Sequence, residues 1–119
     1  SGPERRQIQQ LMALAIVATE KAVAIEYERK RPGELQWSEW TKRLRGQMRQ
    51  AFDMLEARLD SDFLVGGRLT QADITTVSGI GFVRYVLPHE WPDGDYPALA
   101  RLVDRLESSP AFKAVPLDE

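Results

Sequence analysis

From Glu4 to Arg31 the chain contains neither glycine nor proline, and Ala, Leu, Ile, Glu and Arg dominate it. A stretch with no turn signal reads as one long element. Ile8, Leu11, Met12, Ala15, Ala18, Ala22 and Ile25 recur at steps of three and four, the spacing of a helix with a broad apolar face. Its many alanines predict close approach to neighbouring helices. Pro32-Gly33 ends it.

The same period returns three times. Ser38 is the expected N-cap of a second helix, with Glu39 in its positive first turn. Leu44, Met48, Ala51, Phe52, Leu55 and Leu59 form its stripe, basic residues flank it, and Asp60-Ser61-Asp62 stops it. The short connection predicts that helices one and two lie antiparallel. A third helix starts at Thr70 in GGRLTQADI. The Thr70 and Asp73 side chains sit at the spacing of a capping box with Asp in place of Glu, and Leu69 and Ile74 occupy the staple positions. The period runs on through Val77, Phe82 and Tyr85. Gly79 and Gly81 are costly inside a helix, so both predict tight packing against another backbone. After a loop from His89 to Asp95, Pro97 suits a first helical turn, and Leu99, Leu102, Val103 and Leu106 make the next stripe. Ser109-Pro110 opens a short final helix carrying Phe112. The expected fold is all-α: a bundle of four main helices plus a short C-terminal one, with no strand.

Composition narrows what such a bundle does. The 119 residues suit one domain, and 43% hydrophobic with 29% charged residues reads as soluble and globular. A net charge of −2 gives no case for wrapping nucleic acid or anionic membrane. The absence of cysteine excludes disulfides and thiolate chemistry and fits a reducing, cytoplasmic setting. No apolar run reads as long enough to span a bilayer. Ser1-Gly2-Pro3 reads as a cleavage scar left by expression, with the domain at residues 4–119. The one histidine, His89, has no second histidine for metal or relay work and reads as an exposed loop residue.

TQADITTVSGIGFVRYV also raises a helix-turn-helix. Its recognition helix would be Ile80 to Val86, in which only Arg84 could read a base edge or hold a phosphate. Base readout needs several polar side chains on one face, so the capped buried helix is the better reading.

Two phrases carry a family resemblance. DFLVGGRLTQADI, Asp62 to Ile74, and YPALARLVDRLESSPAF, Tyr96 to Phe112, together resemble the C-terminal helical domain of glutathione transferases of bacterial type. YERKRP before the second helix fits the same family. The resemblance implies a preceding thioredoxin-like domain that holds most of the glutathione site and activates its sulfur. It implies glutathione as co-substrate of the whole protein, with no cofactor held by this chain. The helical domain would then supply part of the electrophile pocket and the contacts of a homodimer. A family carboxylate midway along the first helix falls near Ile16-Val17, where this chain is apolar, so it is absent or substituted, whether naturally or by redesign. The alternative within the fold is a non-catalytic interaction module, as in translation-factor and synthetase assemblies.

The candidate residues follow. Ile16, Thr19, Glu20, Val23 and Tyr27 fall on one strip of the first helix, and the resemblance would turn that strip toward the substrate pocket or the missing domain. Surface or lattice contact is the alternative for it. Thr70 and Asp73 are structural caps rather than catalysts. Glu20 and Glu26, near Lys21 and Arg29, read as ordinary solvated charges. Trp37 and Trp40 read as packing residues, and Trp91 as a cover for the core. No catalytic or metal-binding residue is expected, and no nucleic-acid or membrane partner.

Overall fold

The computed structural model describes residues 2–59, 62–91 and 94–109. Four helices carry the chain: α1 Gly2–Lys30, α2 Ser38–Arg58, α3 Gln71–Val86 and α4 Pro97–Glu107. One 3₁₀ turn, Gly33–Leu35, lies between the first two. Among the described residues there is no strand, only an isolated antiparallel bridge between Val65 and Arg68. The expected final helix with Phe112 lies outside the described residues.

α1 is the axis of the domain. At 1.5 Å per residue its 29 residues run about 43 Å, which accounts for the long 50 Å dimension. α2 packs antiparallel along one side of it and α3 along another, while α4 closes the far side against α2 and α3. Leu11, Ala15, Ala18, Ala22 and Ile25 are buried, so small residues line the places where neighbours come closest. Phe52, Leu55 and Met48 face them from α2, Ile80 and Val83 from α3, and Leu99 and Leu102 from α4. Burying these side chains is the main favourable term in forming the fold, at roughly 25 cal/mol per Å² of apolar surface.

Several sequence expectations are corrected. α1 is, by length and composition, long and apolar enough to cross a bilayer, contrary to the expectation that no such run exists. Leu11, Ala15, Ala18, Ala22 and Ile25 of it are buried in the bundle while Ile16 and Val17 stay exposed, and Glu20 and Lys21 interrupt the run. Gly2 and Pro3 are helical, in the first turn of α1, where proline gives up no helical hydrogen bond; their reading as a scar is a separate matter. Ser38 is not the cap of α2 but its first residue; the N-cap is Trp37, held from outside the helix as described below.

The two glycines of α3 part company. A Cβ on Gly79 would lie 3.2 Å from Thr19 Cγ2 and 3.6 Å from the Ala15 carbonyl oxygen. Here glycine lets α3 approach α1. A Cβ on Gly81 would meet nothing within 4 Å, so the expected close packing is absent there. Gly81→Ala should therefore stabilise the domain by about 0.5–1 kcal/mol, through lost freedom of the unfolded chain. Gly79→Ala should not stabilise. Urea midpoints of the two variants check the pair; a stabilised Gly79→Ala would remove the close-approach account.

α3 is one unbroken helix through Ser78 and Gly79. No turn separates two helices there, so a helix-turn-helix is excluded. The turn before it is built at Gly66 and Gly67, both with φ of +67° and flanked by the Val65–Arg68 bridge. Two consecutive left-handed residues are what a tight reversal of this hand needs, and glycine takes them without strain.

Candidate functional site

Two matching helical strips face one another. α1 contributes Ile16, Thr19, Glu20 and Val23, and α3 contributes Thr75, Ser78, Gly79 and Phe82; both follow the i, i+3, i+4, i+7 spacing of one helix face. With Ala15 at its floor they line a groove of about 380 Å³. Gly79 sets its depth, because any side chain there would fill the space beside Thr19. Ile16 is 47% exposed and Phe82 42%, large apolar surfaces left open to solvent at the rim. Four of the five strip residues singled out from the sequence thus meet in one groove. Tyr27 does not line it and is 70% exposed.

The polar groups of the groove are few, and some are engaged locally. The Thr19 hydroxyl donates to the Ile16 carbonyl at 2.7 Å. Thr75 Oγ1 accepts from Gln71 Nε2 at 3.2 Å. Glu20 is the one ionisable residue of the lining, and Ser78 adds a third hydroxyl to those of Thr19 and Thr75. Among the described residues no three His, Asp or Glu side chains come together as a metal site. His89 is exposed in its loop.

Behind the groove, Asp73 is fully buried and holds two backbone amides. Its Oδ2 accepts from the Thr70 N–H at 2.9 Å, and its Oδ1 accepts from the Leu64 N–H, also at 2.9 Å. The Thr70 hydroxyl lies 3.4 Å from the same Oδ2. The carboxylate therefore ties the start of α3 to the loop that precedes it. Leu69 stays 45% exposed while Ile74 packs partly into the core, so the apolar area available to a staple is small.

The model of the family "Glutathione S-transferase, C-terminal domain" matches residues 38–105, which includes this capped helix and most of α4. The chain belongs to that family. Solved glutathione transferases share the fold over nearly its whole length. The enzyme of Methylobacillus flagellatus, with glutathione bound, superposes with a TM-score of 0.86 over 98% of this chain at 22% identity. A glutathione S-transferase of Methylobacterium radiotolerans, in complex with glutathione sulfonate, gives 0.75 over 95% at 29% identity. A glutathione transferase family member of Pseudomonas fluorescens, with bound glutathione, gives 0.78 over 95% at 26% identity. The chain spans 59%, 54% and 56% of those three proteins. No curated protein sequence matches it.

Several residues that fasten the helices of this transferase-family domain escaped the sequence reading because their partners are remote in the chain. Glu28 is buried at the end of α1, and its Oε1 accepts from the Trp37 N–H at 2.8 Å. It caps α2 from another helix, which is why Ser38 is not needed. Glu56 does the same for α4: its two oxygens accept from the Ala98 and Leu99 amides at 2.9 Å each. The only available clue was that the N-cap position of α4 is Tyr96, which has no side-chain group suited to capping the amides after Pro97. Arg45 grips Glu90 through Nε and a terminal nitrogen at 2.5 and 2.7 Å, tying the α3–α4 loop to α2. Trp37 and Trp40 are corrected as packing residues. They stack on each other at 6.3 Å and are 62% and 37% exposed. Trp91 does cover the core, edge-on to Phe52 at 5.1 Å.

Two of these carboxylates set a pH dependence. The Trp37 N–H, and more weakly Arg31, hold Glu28 below its usual range against the opposing effect of burial. The Arg45 guanidinium holds Glu90 below it likewise. A carboxyl depressed in the fold stabilises it above the unfolded value, near 4.5, and that stability is lost as pH falls through the folded values. Urea midpoints should thus be flat near neutrality and fall below about pH 4.5. A Glu28→Gln, Glu90→Gln double variant should start lower and fall less steeply; an unchanged slope would show that other groups govern the acid limb.

Proposed function

We propose that this chain is the helical part of a glutathione transferase, and that the α1–α3 groove is its wall for the apolar, electrophilic co-substrate of glutathione. The groove itself carries the reading: Ile16, Val23 and Phe82 present open apolar surface beside a glycine-set depression, in a chain of this family. Pockets for small molecules are concave, mostly apolar and polar at a few points, and this one has that character. Relatives with glutathione or its derivatives bound support it. Those relatives are nearly twice as long, which leaves room for a thioredoxin-like domain that would hold glutathione and activate its sulfur. A reducing, cytoplasmic setting goes with that reading.

Stabilising a thiolate at neutral pH needs a preorganised donor near the sulfur. Thr19 spends its hydroxyl hydrogen on the Ile16 carbonyl, and Glu20 is acidic. The isolated chain is therefore expected to fold, to show no conjugation of a chromogenic aryl halide above the glutathione-only blank, and to give no measurable heat with glutathione. An S-aryl glutathione conjugate should still shift the amide resonances of Ile16, Val23 and Phe82. Turnover surviving repurification, or a conjugate that leaves those amides unmoved, would overturn the assignment. Ile16 and Val17, 47% and 39% exposed, also favour self-association at high concentration, which sedimentation over a wide concentration range would register as a dimer.

A further inference from the structure

The connection between α1 and α2 is held by side-chain bonds that cross it in opposite directions. Glu28, in the last turn of α1, accepts from the Trp37 N–H at the start of α2 at 2.8 Å. Gln36, the residue before Trp37, sends its side-chain amide back to α1. Its Nε2 donates to the Arg29 carbonyl at 3.1 Å and to the Arg31 carbonyl at 2.8 Å. The first amides and last carbonyls of a helix have no partner within it. Each helix end here is therefore satisfied from across the joint: α1 caps α2 through Glu28, and the residue leading into α2 caps α1 through Gln36. Packing adds little. Every residue from Arg31 to Trp40 is exposed, and the Gly33–Leu35 turn buries no side chain.

We infer that this connection is a reciprocal clasp, a conformational device that opens and closes as one unit while the bundle stays folded. Its four residues form two adjacent pairs, Glu28 with Arg29 and Gln36 with Trp37. Making one bond brings the partners of the other within reach, so the entropy of closing the loop is incurred once for both. Losing one leaves that cost to the other alone. Because the segment is exposed, opening it uncovers little apolar surface, which is the character of a local, low-energy event. The closed clasp also builds the recess of about 410 Å³ beside it, lined by Arg29, Gly33 and Gln36 on one side and Ser38, Thr41 and Arg45 on the other. Opening removes that recess as a whole.

Hydrogen exchange followed by NMR on the whole chain tests the coupling. Gln36→Ala removes both carbonyl bonds and leaves the Glu28 carboxylate and the Trp37 amide in place. Exchange of the Trp37 amide should nevertheless rise roughly tenfold. Glu28→Gln keeps an acceptor but loses the charge, and should in turn move the two side-chain amide protons of Gln36 toward the shifts of a free glutamine. Glu34→Ala alters an exposed residue of the same segment that makes neither bond, and should move neither readout. The core amides of Ile80 and Leu102 should remain protected in every variant, as a check that the bundle is folded. In low urea the Trp37 amide should exchange with a shallow dependence on denaturant and the core amides with a steep one. A Trp37 amide that ignores Gln36→Ala would overturn the clasp, and so would an equal response to Glu34→Ala. A urea slope at Trp37 as steep as that of the core would overturn it too, because the joint would then open only with the bundle.

Discussion

Replacing Asp73 by alanine is expected to cost about 3–5 kcal/mol, several times the effect of losing an ordinary cap. The sequence alone sets the cost at about 1–2 kcal/mol, because it shows one helix start and one reciprocal pair. The structure adds a third partner. Asp73 Oδ1 holds the Leu64 N–H, and Leu64 is buried with its neighbour Val65. Without the carboxylate, the Thr70 and Leu64 amides both lose their acceptor in places water reaches poorly, since Thr70 is only 7% and Leu64 6% exposed. Each orphaned buried donor costs roughly 1–3 kcal/mol. Asp73→Asn tests the two bonds separately. Its single amide oxygen can satisfy one N–H, while its NH₂ group faces the other donor, so the loss should remain well above half. Thr70→Ala should be the mild member of the series, at about 1 kcal/mol. The ranking from urea unfolding is the check. An Asp73→Ala variant within about 1 kcal/mol of the parent would mean that the loop and helix rearrange to satisfy each other.

This difference marks where the sequence stops being legible. Period and punctuation located all four helices, and the stripes of α2 and α4 named their buried residues, because a helix facing a core announces itself in its own spacing. The strip from Ile16 to Val23 was readable for the same reason. What lay across from it was not: Thr75, Ser78 and Phe82 join the groove only through the packing of α3 on α1, some sixty residues away in sequence. The capping of α2 by Glu28 and of α4 by Glu56 was invisible on the same ground. A carboxylate that caps a helix it does not belong to has no fixed spacing. Local chemistry then misleads, as at Ser38, a good cap residue beside a position already served. The glycines show the limit from the other side: Gly79 and Gly81 look alike in sequence, and only the neighbour at Thr19 separates them.

Phe52→Ala is expected to be as damaging, at about 4–5 kcal/mol, because it opens an aromatic cluster that fastens three elements together. Phe52 is 2% exposed on α2. Its ring meets Trp91 edge-on at 5.1 Å with an interplanar angle of 87°, and Tyr96 at 5.8 Å; Trp91 and Tyr96 meet at 5.5 Å. These three rings join α2, the α3–α4 loop and the start of α4. Truncating a buried phenylalanine costs about 3–5 kcal/mol through lost transfer and the cavity left behind, and each good aromatic pair adds about 0.5–1.5. The total stability of a domain of this size is about 5–15 kcal/mol, so the variant should be marginal or unfolded at 37 °C. Phe52→Leu keeps most of the volume and should fold, at a cost of about 1–1.5 kcal/mol. Fluorescence then reports on the mechanism rather than on stability alone. Trp37 and Trp40 are already in contact with solvent, so any shift to longer wavelength in folded Phe52→Leu reports on Trp91 leaving its place against the core. A Phe52→Ala variant that unfolds within about 1 kcal/mol of the parent, with unchanged emission, would show that Trp91 and Tyr96 close over the gap and that the triad is not what fastens α4 to α2.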